Sequence, residues 1–178
     1  MSRSLHHLIQ ALDNQRGALL DGLEALDIPV LQAKPRPGAW SILEIVEHVV
    51  VAESVILLGL PAWENLVARP RSLEHRLKFL VVLLVLKLRI PVRVPSRRML
   101  PTGQRSLAEL RDSWDGHVRW LRAFAEASDE GALGQAFFTH PVAGPITLAQ
   151  ALRMDLLHLR THCRQIAKLR PQHLHQPA

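Results

Sequence analysis

Apolar residues recur at helical spacing along most of this chain. Leu5, Leu8, Ile9, Leu12, Leu19, Leu20 and Leu23 fall close to a 3.6-residue period, which predicts an amphipathic helix from about Ser4 to Ala25. Three prolines and a glycine between Ile28 and Gly38 then read as an ordered or extended connection. Ser41 and Glu44 form a capping box ahead of the next helix, and Trp40 is placed to pack on Ile45 as a hydrophobic staple. Ile45, His48, Val49, Ala52, Val55 and Ile56 line one face of that helix. Pro61 ends or kinks it, and Pro70 bounds a short continuation through Trp63 and Leu66.

The run from Leu73 to Leu88 is strongly apolar. Its β-branched centre, Val81-Val-Leu-Leu-Val, would also suit a strand, but Leu73, Leu77 and Leu80 already stand in helical register, so a helix is predicted. Its core, Phe79 to Leu86, is closed by Lys87 and Arg89 and is far shorter than the ~20 residues of a membrane span, so it reads as a buried helix. Arg89 to Gly103 carries Pro91, Pro95 and Pro101, and a connection of that length is uncommon unless it covers something; it is expected to wrap over the helices. A second capping box, Ser106 with Glu109, opens a helix through Leu110, Trp114, His117, Leu121 and Phe124 to about Ala127. Asp129 to Gly134 ends it, and Phe137 to Pro145 reads as a compact, turn-rich link. Thr147 with Gln150 caps a last helix running to about Leu169, stopped by Arg170-Pro171, with 170–178 as a flexible tail. With no repeat and no credible strand, the pattern predicts one all-α domain over 1–178, containing an additional apolar helix and a proline-rich loop.

Composition narrows the setting. Apolar residues at 48% and charged residues at 21% are ordinary globular values and argue against disorder. The lone cysteine, Cys163, permits no internal disulfide, which suits a reducing cytoplasm, and the polar start Met-Ser-Arg-Ser does not read as a secretion signal. The formal charge of +6 is concentrated between Arg89 and Arg98. Such a segment could meet nucleic acid, but its prolines and its lack of interleaved aromatic residues favour a solvated loop, so nucleic acid is not the expected partner. No glycine-rich loop is present to hold a nucleotide cofactor.

The chemistry lies in histidines. His158 and His162 are four residues apart on the last helix and project from the same face as Leu152, Leu159 and Ile166. An imidazole turned toward a core needs its nitrogens satisfied, and a shared metal satisfies one nitrogen of each. Backbone or water partners would serve the same end without a metal. His48, between Ile45 and Ala52 on the apolar face of its own helix, adds a third inward imidazole, and three neutral imidazoles with open positions suit zinc, nickel or another divalent first-row ion. Asp155, one turn before His158, is placed to hold an imidazole from outside or to remain solvated. Glu44 is assigned to its capping box. Cys163 is rotated about 100° off the His162 face and reads as a packed thiol. His6, His7, His75 and His140 have no partner at ligand spacing, and His117 is held in reserve.

Taken together, Pro37-Gly-Ala-Trp40-Ser-Ile-Leu-Glu-Ile-Val-Glu-His48, His140-Pro-Val-Ala-Gly144-Pro145-Ile-Thr-Leu and His158-Leu-Arg-Thr-His162-Cys-Arg-Gln165-Ile resemble the DinB-like superfamily, in particular its DinB_2-type members, over most of the chain. The resemblance implies a four-helix bundle core, a divalent zinc or nickel ion on His48, His158 and His162, and a homodimer. It also implies a metal-dependent enzyme, a thiol S-transferase or hydrolase. Members include thiol-dependent S-transferases and a mycothiol-dependent maleylpyruvate isomerase, in which the metal activates a low-molecular-weight thiol. The rival reading is a non-catalytic helical module that binds a small ligand or partner, with structural histidines. No residue is identified as a catalytic base, and the substrate is not legible.

Overall fold

Three capping boxes set the phase of three of the four long helices. In the computed structural model, which describes residues 3–88, 90, 94, 96–140 and 142–170, Ser41 Oγ accepts from the Glu44 amide at 3.2 Å and Glu44 Oε2 accepts from the Ser41 amide at 2.8 Å. Ser106 with Glu109 and Thr147 with Gln150 repeat the arrangement. Each box satisfies two amides that a helix start otherwise leaves open. The long helices are α1 (Arg3–Glu24), α3 (Ile42–Leu58), α5 (Leu107–Ala127) and α7 (Leu148–Leu169). Both α1 and α3 pack on α5 and α7, so the four close into a bundle with α1 and α3 on one diagonal. Leu20, Leu23, Ile45, Val50, Leu110, Trp114 and Leu159 fill its interior. The architecture is the all-α fold that the periodicity predicts, closed into the four-helix bundle that the family resemblance implies.

Local departures from the predicted elements have simple causes. The stretch after α1 is not wholly extended: Ile28–Gln32 forms a short helix, α2, with a proline in its first two positions, where a missing amide breaks no bond. A four-residue helix, α6 (Glu130–Leu133), is capped by Asp129. The predicted link before α7 contains a small antiparallel hairpin, β1 (Phe138–His140) with β2 (Gly144–Ile146). Strands of three residues that include Gly144 and Pro145 show no alternation to read. Trp63–Asn65 and Arg97–Met99 are 3-10 turns. Residues 171–178, with Arg89, Pro91, Arg93 and Pro95, lie outside the described residues.

The larger correction concerns α4 (Leu73–Leu88), expected as a buried helix. It packs on α7 and β2 through Phe79, with Val82, Leu83 and Leu86 partly covered. Its opposite face is open: Leu77 is 63% and Leu84 53% exposed. Residues 79–86 of the helix are apolar all round, and this chain covers only one side of them.

Gly144 meets two constraints at the join between α4 and the hairpin. Its φ of +70° lies in the left-handed region, and a Cβ there would sit 2.5 Å from His75 Cδ2. Gly144→Ala is therefore expected to cost about 1–3 kcal/mol of stability in denaturant unfolding. A variant as stable as the parent would show that this turn relaxes freely.

Candidate metal centre

The Ser41 box starts α3 in the phase that turns Ile45, Val49 and Ala52 inward, and His48 follows them, only 5% exposed. Across from it, α7 presents His158 and His162, both half-buried. One ring nitrogen from each histidine lies within 4.8 Å of the others. Ring centroids are 5.4 Å apart for His48 and His158, 5.0 Å for His48 and His162, and 4.6 Å for His158 and His162. The helical pair that the spacing predicts and the distant His48 thus meet at one point. Trp40 packs against this group, its ring 4.9 Å from that of His48.

Outer partners fix two of the rings. His48 Nδ1 donates to the Met99 carbonyl at 2.7 Å. A carbonyl can only accept, so Nδ1 carries the proton and Nε2 the lone pair. His162 Nδ1 donates to Gln165 Oε1 at 3.0 Å, which leaves its Nε2 free in the same way. That Nε2 lies 3.1 Å from His158 Nε2. The separation is close to the roughly 3.3 Å between neighbouring nitrogens of a tetrahedral zinc with ~2.0–2.1 Å bonds. The donor set fits a divalent ion.

Electrostatics favour the same use. Burial pushes His158 down to about 3, with His162 and His48 nearby adding to the effect. Burial and His48 take His162 down to about 4, against an opposing contribution from Gln165. Burial also lowers His48, opposed by its bond to Met99. All three are neutral at ordinary pH, so each keeps one unprotonated ring nitrogen to offer, Nε2 in His48 and His162.

A second group of buried polar side chains lies beside this one. Asp155 makes no hydrogen bond to His158 or His162 among the described residues. It lines, with Glu53, Arg16, Trp114 and surrounding aliphatic residues, a cavity of about 10 Å³. Trp114 Nε1 donates to Glu53 Oε2, and His117 Nδ1 lies 3.7 Å from Glu53 Oε1. Burial raises the Glu53 carboxyl well above its ordinary value, and the nearby Asp155 raises it further; burial lifts Asp155 to about 7. Sequence reasoning missed Glu53, and also Glu47, which is 1% exposed. The available signal was a carboxylate inside an otherwise apolar helix. His117 stays outside the three-histidine group. His140 Nδ1 accepts from the amides of Val142 and Ala143 and holds the hairpin turn. Cys163 is a half-buried thiol beside Gln15, raised by burial, in keeping with a packing role.

The DinB_2 model of the DinB superfamily matches residues 11–166. The chain belongs to the DinB superfamily. Among solved structures, this DinB-superfamily chain is similar to YfiT from Bacillus subtilis, described as a probable metal-dependent hydrolase with an unusual four-helix bundle topology. The TM-score is 0.55 at 20% identity, over 95% of this chain and 87% of that one, a likeness of fold. No curated protein sequence matches this DinB-superfamily member.

The Asp155 carboxyl gives a pH prediction. A carboxyl whose pKa is raised on folding stabilises the fold below its unfolded value near 3.8, and that contribution is lost as pH rises through about 7. Asp155→Asn removes the titration. Relative to the parent, its stability should therefore rise between pH 5 and pH 8, by at most about 3 kcal/mol, read as a higher melting temperature. A difference that stays constant across this range would place Asp155 in water.

Proposed function

We propose that His48, His158 and His162 bind one divalent ion, zinc or nickel, and that the protein is a metal-dependent enzyme of the reducing cytoplasm acting on a small electrophilic substrate. The observation that carries this reading is the convergence of three neutral imidazoles, two of them with Nε2 atoms 3.1 Å apart. Such an ion supplies Lewis acidity, lowering the pKa of a water or low-molecular-weight thiol brought to it. The chain contributes three uncharged ligands, two held in orientation by Met99 and Gln165, and leaves the remaining coordination open, as catalytic sites do. Thiol S-transfer and hydrolysis are the two reactions proposed for this centre. The name of the similar Bacillus protein favours hydrolysis, and the superfamily's thiol-using members favour transfer.

A second reading has its own support. With one proton between them, the Nε2 atoms of His158 and His162 satisfy each other without a metal, which would make the cluster structural. Elemental mass spectrometry of untagged protein separates the two. About one zinc or nickel per chain is expected, lost in His48→Ala, His158→Ala and His162→Ala but retained in His140→Ala. Equal metal content in all four variants would remove the assignment. If the metal is present but its removal lowers only the melting temperature, with no activity to lose, the structural reading takes its place.

The open face of α4 bears on the homodimer. Leu73, Leu77, Leu80, Val81, Leu84 and Leu88 are each more than half exposed, with leucines at the 4-3-4 spacing of a helix-pairing seam. Their exposed area is on the order of 700 Å², against roughly 800 Å² per partner in a standard interface. No helix among the described residues is long and apolar enough to cross a membrane. A second copy is the proposed cover. Light scattering after size exclusion should give a dimer for the parent and a monomer for Leu77→Glu with Leu84→Glu. A monomeric parent at every concentration tested would count against this surface.

A further inference from the structure

The segment that crosses α3 is held at two points by adjacent residues of that helix. At one, His48 Nδ1 donates to the Met99 carbonyl. At the other, the buried Glu47 carboxylate takes both of its hydrogen bonds from the segment: Thr102 Oγ1 donates to Oε1 at 2.6 Å and the Gly103 amide donates to Oε2 at 2.8 Å. Neighbouring helical residues point about 100° apart, so the two grips lie side by side and cannot both rest on one point of the loop. Around them the chain has little freedom. The Arg97–Met99 turn is closed by bonds from the Met99 amide to Ser96 O and from the Leu100 amide to Arg97 O, at 3.0 and 3.2 Å. Pro101 fixes its own φ. Gly103, at φ +73°, aims its amide at Glu47.

We infer that Glu47 is a positioning residue of the metal centre, acting on His48 through the 96–103 segment. The inference rests on the metal-centre reading above. A carboxylate this deeply enclosed, meeting two donors of one loop, fixes where that loop lies, and hence where the Met99 carbonyl lies. That carbonyl keeps the proton on His48 Nδ1 and the Nε2 lone pair toward His158 and His162. When the carboxylate is lost, the segment is free to lift, the His48 ring loses its acceptor, and Nδ1 competes with Nε2 for the proton. Outer partners of this kind change metal affinity by roughly 10–100-fold.

A loop clasp that only stabilises the fold would give a different pattern, so the test uses four variants and two readouts. Zinc affinity is measured by competition with a chromophoric chelator for the parent, Glu47→Ala, Glu47→Gln, Thr102→Val and Gly144→Ala. Ring nitrogen NMR of the metal-free proteins reports the His48 tautomer. Expected are a roughly 10–100-fold loss of affinity in Glu47→Ala, a smaller loss in Thr102→Val, near-parent affinity in Glu47→Gln, and none in Gly144→Ala despite its lower melting temperature. The Nδ1-protonated form of His48 should dominate in the parent and be mixed in Glu47→Ala. Parent-like affinity and tautomer in Glu47→Ala would overturn the inference. So would a loss that simply follows melting temperature, Gly144→Ala included. If Glu47→Ala does not fold, Thr102→Val decides the same question. A parent that takes up no zinc or nickel would instead fell the metal reading itself, and with it the role given to Glu47.

Discussion

Enclosing three imidazoles in an apolar bundle is the constraint on which the rest of the site depends. Each buried ring nitrogen needs a partner, and the structure supplies these in two layers. On the outside, Met99 and Gln165 accept from Nδ1 of His48 and His162. On the inside, the Nε2 atoms of His158 and His162 lie 3.1 Å apart, with the His48 ring against both. The outer bonds determine which nitrogen carries a proton, and the inner geometry follows, because a ring with a protonated Nδ1 has only Nε2 to offer. Burial then holds all three rings neutral through its effect on their pKa values. Burial and tautomer therefore converge on His48 and His162, each a neutral ring with its Nε2 lone pair left to offer.

The polar groups beside the centre work by a different device. Glu53 and Asp155 face each other across a small cavity, where ionising both would place two like charges in a poorly solvated space. The pair reduces that charge by protonation, and Trp114 donates to Glu53. Glu47, more deeply enclosed, is satisfied by a hydroxyl and an amide of the crossing segment. Buried carboxylates on one helix are thus accommodated in two ways, one by a shared environment that favours the neutral acid and one by dedicated donors.

How much of this could be read from sequence follows from how local each signal is. The capping boxes at Ser41, Ser106 and Thr147 lie within four residues, and all three are present. The His158 and His162 spacing is local too. That His48 meets them is not local, and it became legible through its position on the apolar face together with the family resemblance. The Met99 carbonyl left no trace, because every residue has one and only the folded path decides which is used. The hairpin at Phe138 to Ile146 was invisible because its strands are too short to alternate. The short helix at Ile28 was hidden by Pro29, a breaker within a helix but not at its first turn.

The α4 helix shows a further limit. Its composition calls for burial, and hydrophobic pattern alone does not say by what. Phe79 meets the chain's own core, whereas Leu73, Leu77, Leu80, Leu84 and Leu88 face outward. The same apolar residues that read as core therefore divide into two sets, and only the inward set contributes to the bundle's own stability. The outward set keeps its transfer free energy in reserve for whatever covers it, on the order of 25 cal/mol per Å² removed from water. Because α4 packs directly along α7, a partner seated on that face would press on the helix that carries His158 and His162. Assembly and the metal centre would then share one structural element, so a substitution on the outer face of α4 that changed metal affinity would mark coupling through α7 and not contact with the ion.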